Sequence, residues 1–110
     1  WPGHQVRRIG PVLESSISYV CAFHGARLVG FLNLAWDCAV HAFLLDPTVH
    51  PDYQRRGIGT SLVNKATSIA RNQGAGWLHV DHEPALSAFY RSCGFRPTPA
   101  GVIDLAQSIV

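Results

Sequence analysis

The feature that most restricts the fold is a change of hydrophobic period near residue 57. Before it, over residues 17–48, β-forming residues dominate and short turn signals separate them. After it, apolar residues recur at helical spacing on one face: Ile58, Leu62, Val63, Ala66, Ile69 and Ala70. Since strands and an amphipathic helix bury their apolar faces against each other, we expect a mixed sheet with helices packed on it, in the α/β or α+β class.

The strand-like half predicts a three-stranded antiparallel meander over residues 17–48. Its strands are expected at residues 18–23, 27–36 and 41–45, with turns at His24-Gly25 and Asp37-Cys38. Residues 1–16 carry two prolines and two glycines. They are therefore predicted to form an irregular lead-in that holds at most one short strand near Val6.

The second half predicts a helix, a strand, a second helix and two short strands. The first helix should close at residues 72–74, and a strand should follow at residues 77–80. Pro84 suits the start of the second helix, which Gly94 should end. Short strands are expected at residues 95–98 and 102–105. The order is β-β-β-α-β-α-β-β in a single domain of residues 1–110, with residues 95–110 as C-terminal strands.

Composition excludes several classes of protein. A chain of 110 residues with 47% hydrophobic and 15% charged residues suits one globular domain rather than a disordered one. A net charge of +2 is too small to indicate a nucleic-acid partner. No apolar run is long enough for a membrane span, no export signal is visible, and three cysteines do not form a disulfide framework. We therefore expect a cytoplasmic protein.

Residues 49–62 carry the chemistry that the sequence suggests. A strand ends there, Pro51 and Asp52 predict a turn, and Gly57 and Gly59 flank the start of the first helix. The first N–H groups of a helix lack internal partners, and the helix dipole adds positive charge at that end. Glycines let an anion approach the backbone closely, and two arginines lie beside them. This segment is therefore a candidate site for a phosphate or pyrophosphate.

Two familiar phosphate motifs do not match this segment. No Gly-x-x-x-x-Gly-Lys-Ser/Thr run exists, so a P-loop is excluded. The dinucleotide fingerprint fails because Leu62 occupies its third glycine position, and because a meander precedes it instead of a βαβ unit. From the residues alone, a solvated turn with glycines that serve packing remains the alternative.

The sequence resembles the GNAT superfamily of N-acyltransferases in two blocks. Val49-x-Pro51-x-x-Gln54-Arg55-Arg56-Gly57-Ile58-Gly59-x-x-Leu62 is similar to the family's coenzyme A signature, and Phe89-Tyr90-x-x-x-Gly94-Phe95 is similar to its second helix. The resemblance runs from about residue 19 to the C-terminus. It implies acetyl-CoA as co-substrate, no metal, and a sheet in which the parallel strands at residues 41–49 and 77–80 splay apart.

The resemblance also implies which residues hold the coenzyme. The pyrophosphate would lie on the helix-start amides, and the pantetheine arm would pair with the strand that enters the loop. The implied contacts are Gln54, Arg55, Arg56, Gly57, Ile58, Gly59 and Thr60 for the pyrophosphate, and Thr48 and Val49 for the pantetheine.

Direct transfer to a primary amine requires an acid, a base and an oxyanion donor. Tyr90 is the candidate acid for the leaving thiolate. The family's oxyanion donor is a backbone N–H at the position of Pro47, which has none. Glu83 stands where relatives carry a coenzyme-contacting asparagine, and is expected to serve the helix N-terminus instead. The base is left open among six residues: His41, Asp46, His50, His79, Asp81 and His82.

The predicted function is an N-acetyltransferase that acts on an unidentified amine. The alternative is an acyl-CoA-binding module with little or no catalysis, which Pro47 and a short N-terminal region favour. A nucleic-acid surface at Arg55 and Arg56 is a third interpretation, which the surrounding acidic residues oppose. Because few residues precede the meander, we expect an acceptor pocket that is open, or that a partner subunit closes in a homodimer.

Overall fold

The computed structural model describes residues 4–12 and 17–106, which form a five-stranded sheet with helices packed on it. The strands are β1 (His4–Val12), β2 (Ile17–His24), β3 (Arg27–Trp36), β4 (His41–Val49) and β5 (Trp77–Val80). The helices are α1 (Ile58–Asn72) and α2 (Ser87–Ser92), and the 3₁₀ turns Pro51–Tyr53 and Pro84–Leu86 precede them. This mixed sheet with helices confirms the predicted fold class.

The strands lie in the sheet in chain order, and only the last pair is parallel. Strands β1 to β4 pair antiparallel, whereas β4 and β5 pair parallel from His41 opposite Trp77 to Leu44 opposite Val80. Strand β5 ends at Val80, but β4 continues to Val49. In the described part of the chain, the edge of β4 beyond Leu44 therefore has no strand beside it on the β5 side.

The irregular lead-in predicted for residues 1–16 is wrong over most of its length. Residues 4–12 form β1, a full-length edge strand that pairs with β2, so the antiparallel part has four strands instead of three. A register shift between Ile9 and Pro11 accommodates the Gly10-Pro11 pair. An edge strand tolerates a proline at such an irregularity, because the missing N–H need not serve the ladder. Residues 1–3 and 13–16 lie outside the described residues.

The two C-terminal strands predicted at residues 95–98 and 102–105 are also wrong. Residues 95–104 are irregular and a turn follows at residues 105–106. Pro97 and Pro99 offer no N–H to a ladder. Val102, Ile103 and Leu105 are 83%, 85% and 91% exposed, so they bury no apolar surface that would hold a strand in place. Residues 107–110 lie outside the described residues.

Helix α1 covers one face of the sheet and forms the core with it. Its six predicted apolar residues are all buried, which confirms the helical period read from the sequence. They pack against the alternate strand residues Val20, Ala22, Leu32, Leu34, Ala42 and Leu44. The opposite side, here called the outer face, carries the intervening residues such as Asn33, Phe43, Leu45 and His79. No described helix is long and apolar enough to cross a membrane.

A close contact at Gly30 sets the position of the α1 N-terminus. A Cβ atom there would lie 3.1 Å from the Leu62 side chain, 3.2 Å from the Thr48 carbonyl and 3.3 Å from the Ile58 side chain. A side chain at this position would push its neighbours by a few tenths of an ångström, so glycine lets the first turns of α1 rest closely on β3 beside the end of β4. This contact fixes the helix start next to the strand that leads into the loop.

Candidate active site

The loop between β4 and α1 is anchored by Tyr53. Its ring is buried, its hydroxyl is hydrogen-bonded to His24 Nδ1 at 2.9 Å, and its ring edge contacts His50. The His50 N–H donates to the Val29 carbonyl at 2.7 Å. The Gln54 side-chain amide donates to the Val49 carbonyl at 3.2 Å and ties the loop back to β4. These contacts tie the loop to β2, β3 and β4.

The start of α1 presents free backbone donors. Arg55 and Gly57 adopt left-handed backbone angles, with φ of 63° and 79°. Gly57 is the N-cap and makes no side-chain capping bond, and the first helical bond runs from the Ser61 N–H to the Gly57 carbonyl. The amides between these two residues thus lack intrahelical acceptors. Alternating backbone geometry of this kind forms a concave nest of N–H groups suited to an anion.

A cavity of about 720 Å³ opens at this helix start. Its size suits a cofactor-sized ligand. The end of β4, the loop, the first turns of α1 and helix α2 line it. Seven of the nine predicted coenzyme residues are among the lining residues: Val49, Gln54, Arg55, Gly57, Ile58, Gly59 and Thr60.

The two other predicted coenzyme residues, Thr48 and Arg56, do not line the cavity. The Thr48 hydroxyl donates to the carbonyl of Asp46 at 3.1 Å. The Arg56 guanidinium lies over the Tyr53 ring, 5.5 Å from its centroid. Arg56 therefore packs on Tyr53, whereas Arg55 lines the cavity.

Helix α2 brings Tyr90 to the cavity. The Tyr90 ring is only 2% exposed, and the edge of Phe95 packs against it. Phe89 lies against the start of α1, because a Cβ on Gly59 would be 3.3 Å from its ring. Burial raises the pKa of the Tyr90 phenol above its ordinary value, and Cys93 adds to the rise. Tyr90 is therefore a protonated donor at neutral pH.

A β-bulge lies in β4 just before the cavity. The register passes from Asn33 opposite Leu45 to Phe31 opposite Thr48, so β4 carries one extra residue there. Asp46, with φ of 54°, lies in the bulge, and Pro47 after it lines the cavity. The Thr48 hydroxyl is already engaged with the Asp46 carbonyl, so it is a poor substitute for the N–H that Pro47 lacks.

The six candidate bases are dispersed, and none lines the cavity. His41 and His79 are hydrogen-bonded to each other at 2.9 Å on the outer face. His50 lies in the loop, 3.1 Å from Arg27. Asp46 accepts a hydrogen bond from Asn33, and Asp81 is exposed.

His82 is the candidate base in contact with Tyr90. The two rings stack at 4.8 Å and 25°. Its Nδ1 lies 2.8 Å from the Glu83 carbonyl. Because a carbonyl only accepts, this nitrogen carries the proton. Spacing along the sequence could not have indicated this stack, since a loop and a 3₁₀ turn separate the two residues.

Glu83 and the side chains that could bind a metal were also considered from the sequence. Glu83 is the N-cap of the turn Pro84–Leu86, and its side chain makes no capping hydrogen bond. Its expected role at this N-terminus stays a prediction. Among the side chains of residues 18–106, no three from His, Cys, Asp or Glu form a group that could hold a metal ion. Sequence reasoning also missed Leu86 and Phe89 as cavity residues, although their spacing of three with Tyr90 beside them marks one helical face.

Known proteins share this fold and this sequence pattern. A GNAT-family acetyltransferase of Streptococcus pneumoniae superposes with a TM-score of 0.78 at 24% identity, covering 96% of this chain and 99% of that chain. The chain is 27% identical over 105 residues to an uncharacterized ycf52-like N-acetyltransferase of Prochlorococcus marinus, covering 92% of this chain and 58% of the relative. It is 36% identical over 84 residues to a mycothiol acetyltransferase of Mycolicibacterium vanbaalenii, covering 76% and 27%.

The fold is thus that of solved acetyltransferases. A family model described as an acetyltransferase (GNAT) domain matches residues 15–97, and the chain belongs to this family. It spans less than two thirds of the length of the Prochlorococcus and Mycolicibacterium relatives.

Proposed function

We propose that the chain is an N-acetyltransferase that moves an acetyl group from acetyl-CoA to a primary amine. The observation that carries this proposal is one cavity that joins a helix start with unpaired backbone N–H groups to a buried tyrosine whose pKa is raised by burial. A phosphate site alone would suit many ligands. A proton donor in the same cavity suits a ligand that carries a phosphate and also a group that becomes an anion when it leaves.

The coenzyme would enter with its pyrophosphate on the amides of Ile58, Gly59 and Thr60, and with the Arg55 charge beside it. Its pantetheine arm would follow β4 past Val49, where β5 has already ended. The arm would then find strand-edge hydrogen-bonding groups beyond Leu44. This route leads the thioester toward Pro47 and Tyr90, which both line the cavity.

The transfer itself is a direct displacement. The lone pair of the neutral amine attacks the thioester carbonyl, the new C–N bond forms, and the C–S bond breaks after a tetrahedral oxyanion. Tyr90 donates its phenolic proton to the departing thiolate, and the proton of the attacking nitrogen leaves to water. Tyr90 then regains its proton from solvent, so the phenol is unchanged at the end of the cycle.

A second candidate is an acyl-CoA-binding module with little catalysis. The observation that favours it is Pro47, because the family's oxyanion donor is missing at that position and the Thr48 hydroxyl is engaged. Exposed Asp52, Asp81 and Glu83 near the loop support a partner other than nucleic acid. A cytoplasmic location and a homodimer stay predictions from the sequence.

Calorimetry with acetyl-CoA, followed by a thiol-release assay with a panel of amines, tests the proposal. We expect binding, amine-dependent thiol release, and a loss of kcat of at least about tenfold in Tyr90→Phe with coenzyme affinity unchanged. Tyr19→Phe, which removes the hydroxyl of an exposed tyrosine on β2 outside the cavity, is the control for hydroxyl loss elsewhere in the fold. Binding without release would support the binding module. An absence of binding would refute both candidates.

A further inference from the structure

The outer face carries an exposed carboxylate, that of Asp46, near the end of β5. Asp46 lies in the β4 bulge with φ of 54°, and it is exposed. Its Oδ2 accepts a hydrogen bond from Asn33 Nδ2 at 3.1 Å. Among the side chains of residues 18–106, no Lys, Arg or His lies within ion-pair distance of it. This anion is therefore available to a cation from outside the chain.

The same pair of residues also holds a buried acceptor without a donor. Asn33 Oδ1 is inaccessible to solvent and has no hydrogen-bond partner. A buried polar atom left unpaired costs about 1–3 kcal/mol, so native proteins seldom keep one without a role. The amide cannot simply be reversed, because its N–H₂ group is needed to donate to the carboxylate. Because Asn33 Oδ1 is enclosed, a ligand reaches only the exposed carboxylate that Asn33 holds. An ammonium group, which has three donors and no acceptor, complements that anion.

An apolar shelf, defined here as Leu45 and Phe43, continues along the strand from Asp46. Both side chains lie on the outer face and are 44% and 40% exposed. The His79 ring stacks on Phe43 at 4.9 Å and 18°, and His41 holds His79 in place. From Asp46 to Phe43 the strand advances about 10 Å, at ~3.3 Å per residue. The surface thus offers one negative charge and then a flat apolar strip.

We propose that Asp46 and the apolar shelf form the acceptor subsite, and that the acceptor is a small primary monoamine with an apolar or aromatic body. Its ammonium group rests at Asp46 and its carbon skeleton lies over Leu45 and Phe43. The inference rests on the proposed function, because it takes the acyl group to lie where β4 and β5 part, next to the bulge. A polyamine finds a single anion here, and a polar amine gains nothing from the shelf.

The test measures amine binding and turnover separately. Phenethylamine, ethanolamine and spermidine are compared by ligand-observed NMR with and without coenzyme A, and by thiol release with acetyl-CoA. Asp46→Asn removes the charge, yet asparagine tolerates the left-handed backbone and still accepts from Asn33. Asp104→Asn is the matched control, since it removes an exposed carboxylate that also accepts a hydrogen bond and lies outside the coenzyme loop. Phe43→Thr and Leu45→Thr remove the shelf with a residue that favours strands.

We expect phenethylamine to exceed ethanolamine and spermidine at least about tenfold in kcat/KM. Asp46→Asn loses one charge-assisted contact, so it should weaken phenethylamine binding about tenfold and leave coenzyme affinity unchanged. Asp104→Asn should change neither. The threonine variants should bring the preference over ethanolamine close to one. Equal effects of the two aspartate variants, or a preference for spermidine, would overturn the proposal.

The two proposals fail in distinguishable ways. Phenethylamine binding that depends on Asp46, without any thiol release, would retain the subsite and refute the transferase. Thiol release that is insensitive to Asp46→Asn and to both threonine variants would retain the transferase and refute the subsite. An absence of amine binding by the wild-type chain, with and without coenzyme A, would refute the subsite directly.

Discussion

Replacing Gly57 by alanine tests most directly whether the backbone N–H groups at the start of α1 bind the coenzyme pyrophosphate. Gly57 has φ of 79°, and a Cβ built on it meets no protein atom within 4 Å. The substitution therefore creates strain in the backbone but no clash. Because Gly57 lines the cavity, the added methyl group enters the space that the proposal assigns to the pyrophosphate. Gly25→Ala is the matched control, since Gly25 has φ of 62° and equally open surroundings but does not line the cavity.

The expected magnitudes follow from this comparison. A non-glycine residue in the left-handed region costs about 1–2 kcal/mol, so both variants should lose that much free energy of unfolding. For a domain of this size, each 1 kcal/mol lowers Tm by roughly 4 °C or slightly more. Only Gly57→Ala should also lose coenzyme affinity. Losing one or more amide contacts to a phosphate, at about 1.5–3 kcal/mol each, raises Kd at least about tenfold.

Thermal unfolding and coenzyme A calorimetry on the three proteins provide the assay. The informative result is equal destabilisation of the two variants with unequal coenzyme affinity. If Gly57→Ala binds coenzyme A as tightly as Gly25→Ala does, then the backbone at this helix start does not receive the phosphates. If Gly25→Ala weakens coenzyme A binding as much as Gly57→Ala does, the loss of affinity comes from general destabilisation. The argument that the α1 start binds the pyrophosphate then fails.

Three further predictions concern the surroundings of Tyr90, the core and the cysteines. His82→Asn retains an N–H for the Glu83 carbonyl but loses the ring stack, so it should lower kcat about tenfold with coenzyme affinity unchanged. In a Tyr90→Phe background the same substitution should lower kcat no further. Additive losses in that double-mutant cycle would contradict a role of His82 in positioning Tyr90. Leu32→Ala should lower the free energy of unfolding by about 2–5 kcal/mol in urea titrations, because Leu32 is fully buried; a loss below about 1 kcal/mol would show that the core collapses around the gap. Burial raises the pKa of the Cys93 thiol, so the rate of its alkylation by iodoacetamide should rise only at a pH above the ordinary cysteine range. Exposed Cys38 should be alkylated first at pH 8. Peptide mapping that found Cys93 alkylated faster than Cys38 would contradict this.

Short-range signals account for the parts of the structure that the sequence predicted. The apolar period of α1 identified its buried face completely, since burial of one helical stripe depends only on spacing within one element. The loop into α1 was recognisable for a similar reason. The turn residues and the glycines around Arg55 and Arg56 lie within a few residues of one another, and the chemistry of a helix start is local.

Strand pairing accounts for most of the errors. The β1 segment looked irregular because of Gly10 and Pro11, but a neighbouring strand supplied the hydrogen-bonding partners that overrode those local signals. The opposite happened after Gly94. Val102 and Ile103 have high strand propensity, yet they lack a ladder and remain exposed, since propensity alone does not form a strand.

The sequence by itself determined the fold class, the buried face of α1, the residues of the helix-start loop and the presence of Tyr90 on the second helix. Only the tertiary structure decided what those residues meet. Three contacts join residues from separate elements: His82 stacks on Tyr90, α1 packs against Gly30, and Asn33 donates to Asp46 in the β4 bulge. The physical reason is that periodicity reports which face of an element is buried, whereas contacts between elements depend on register and bulges, which spacing along one strand does not specify.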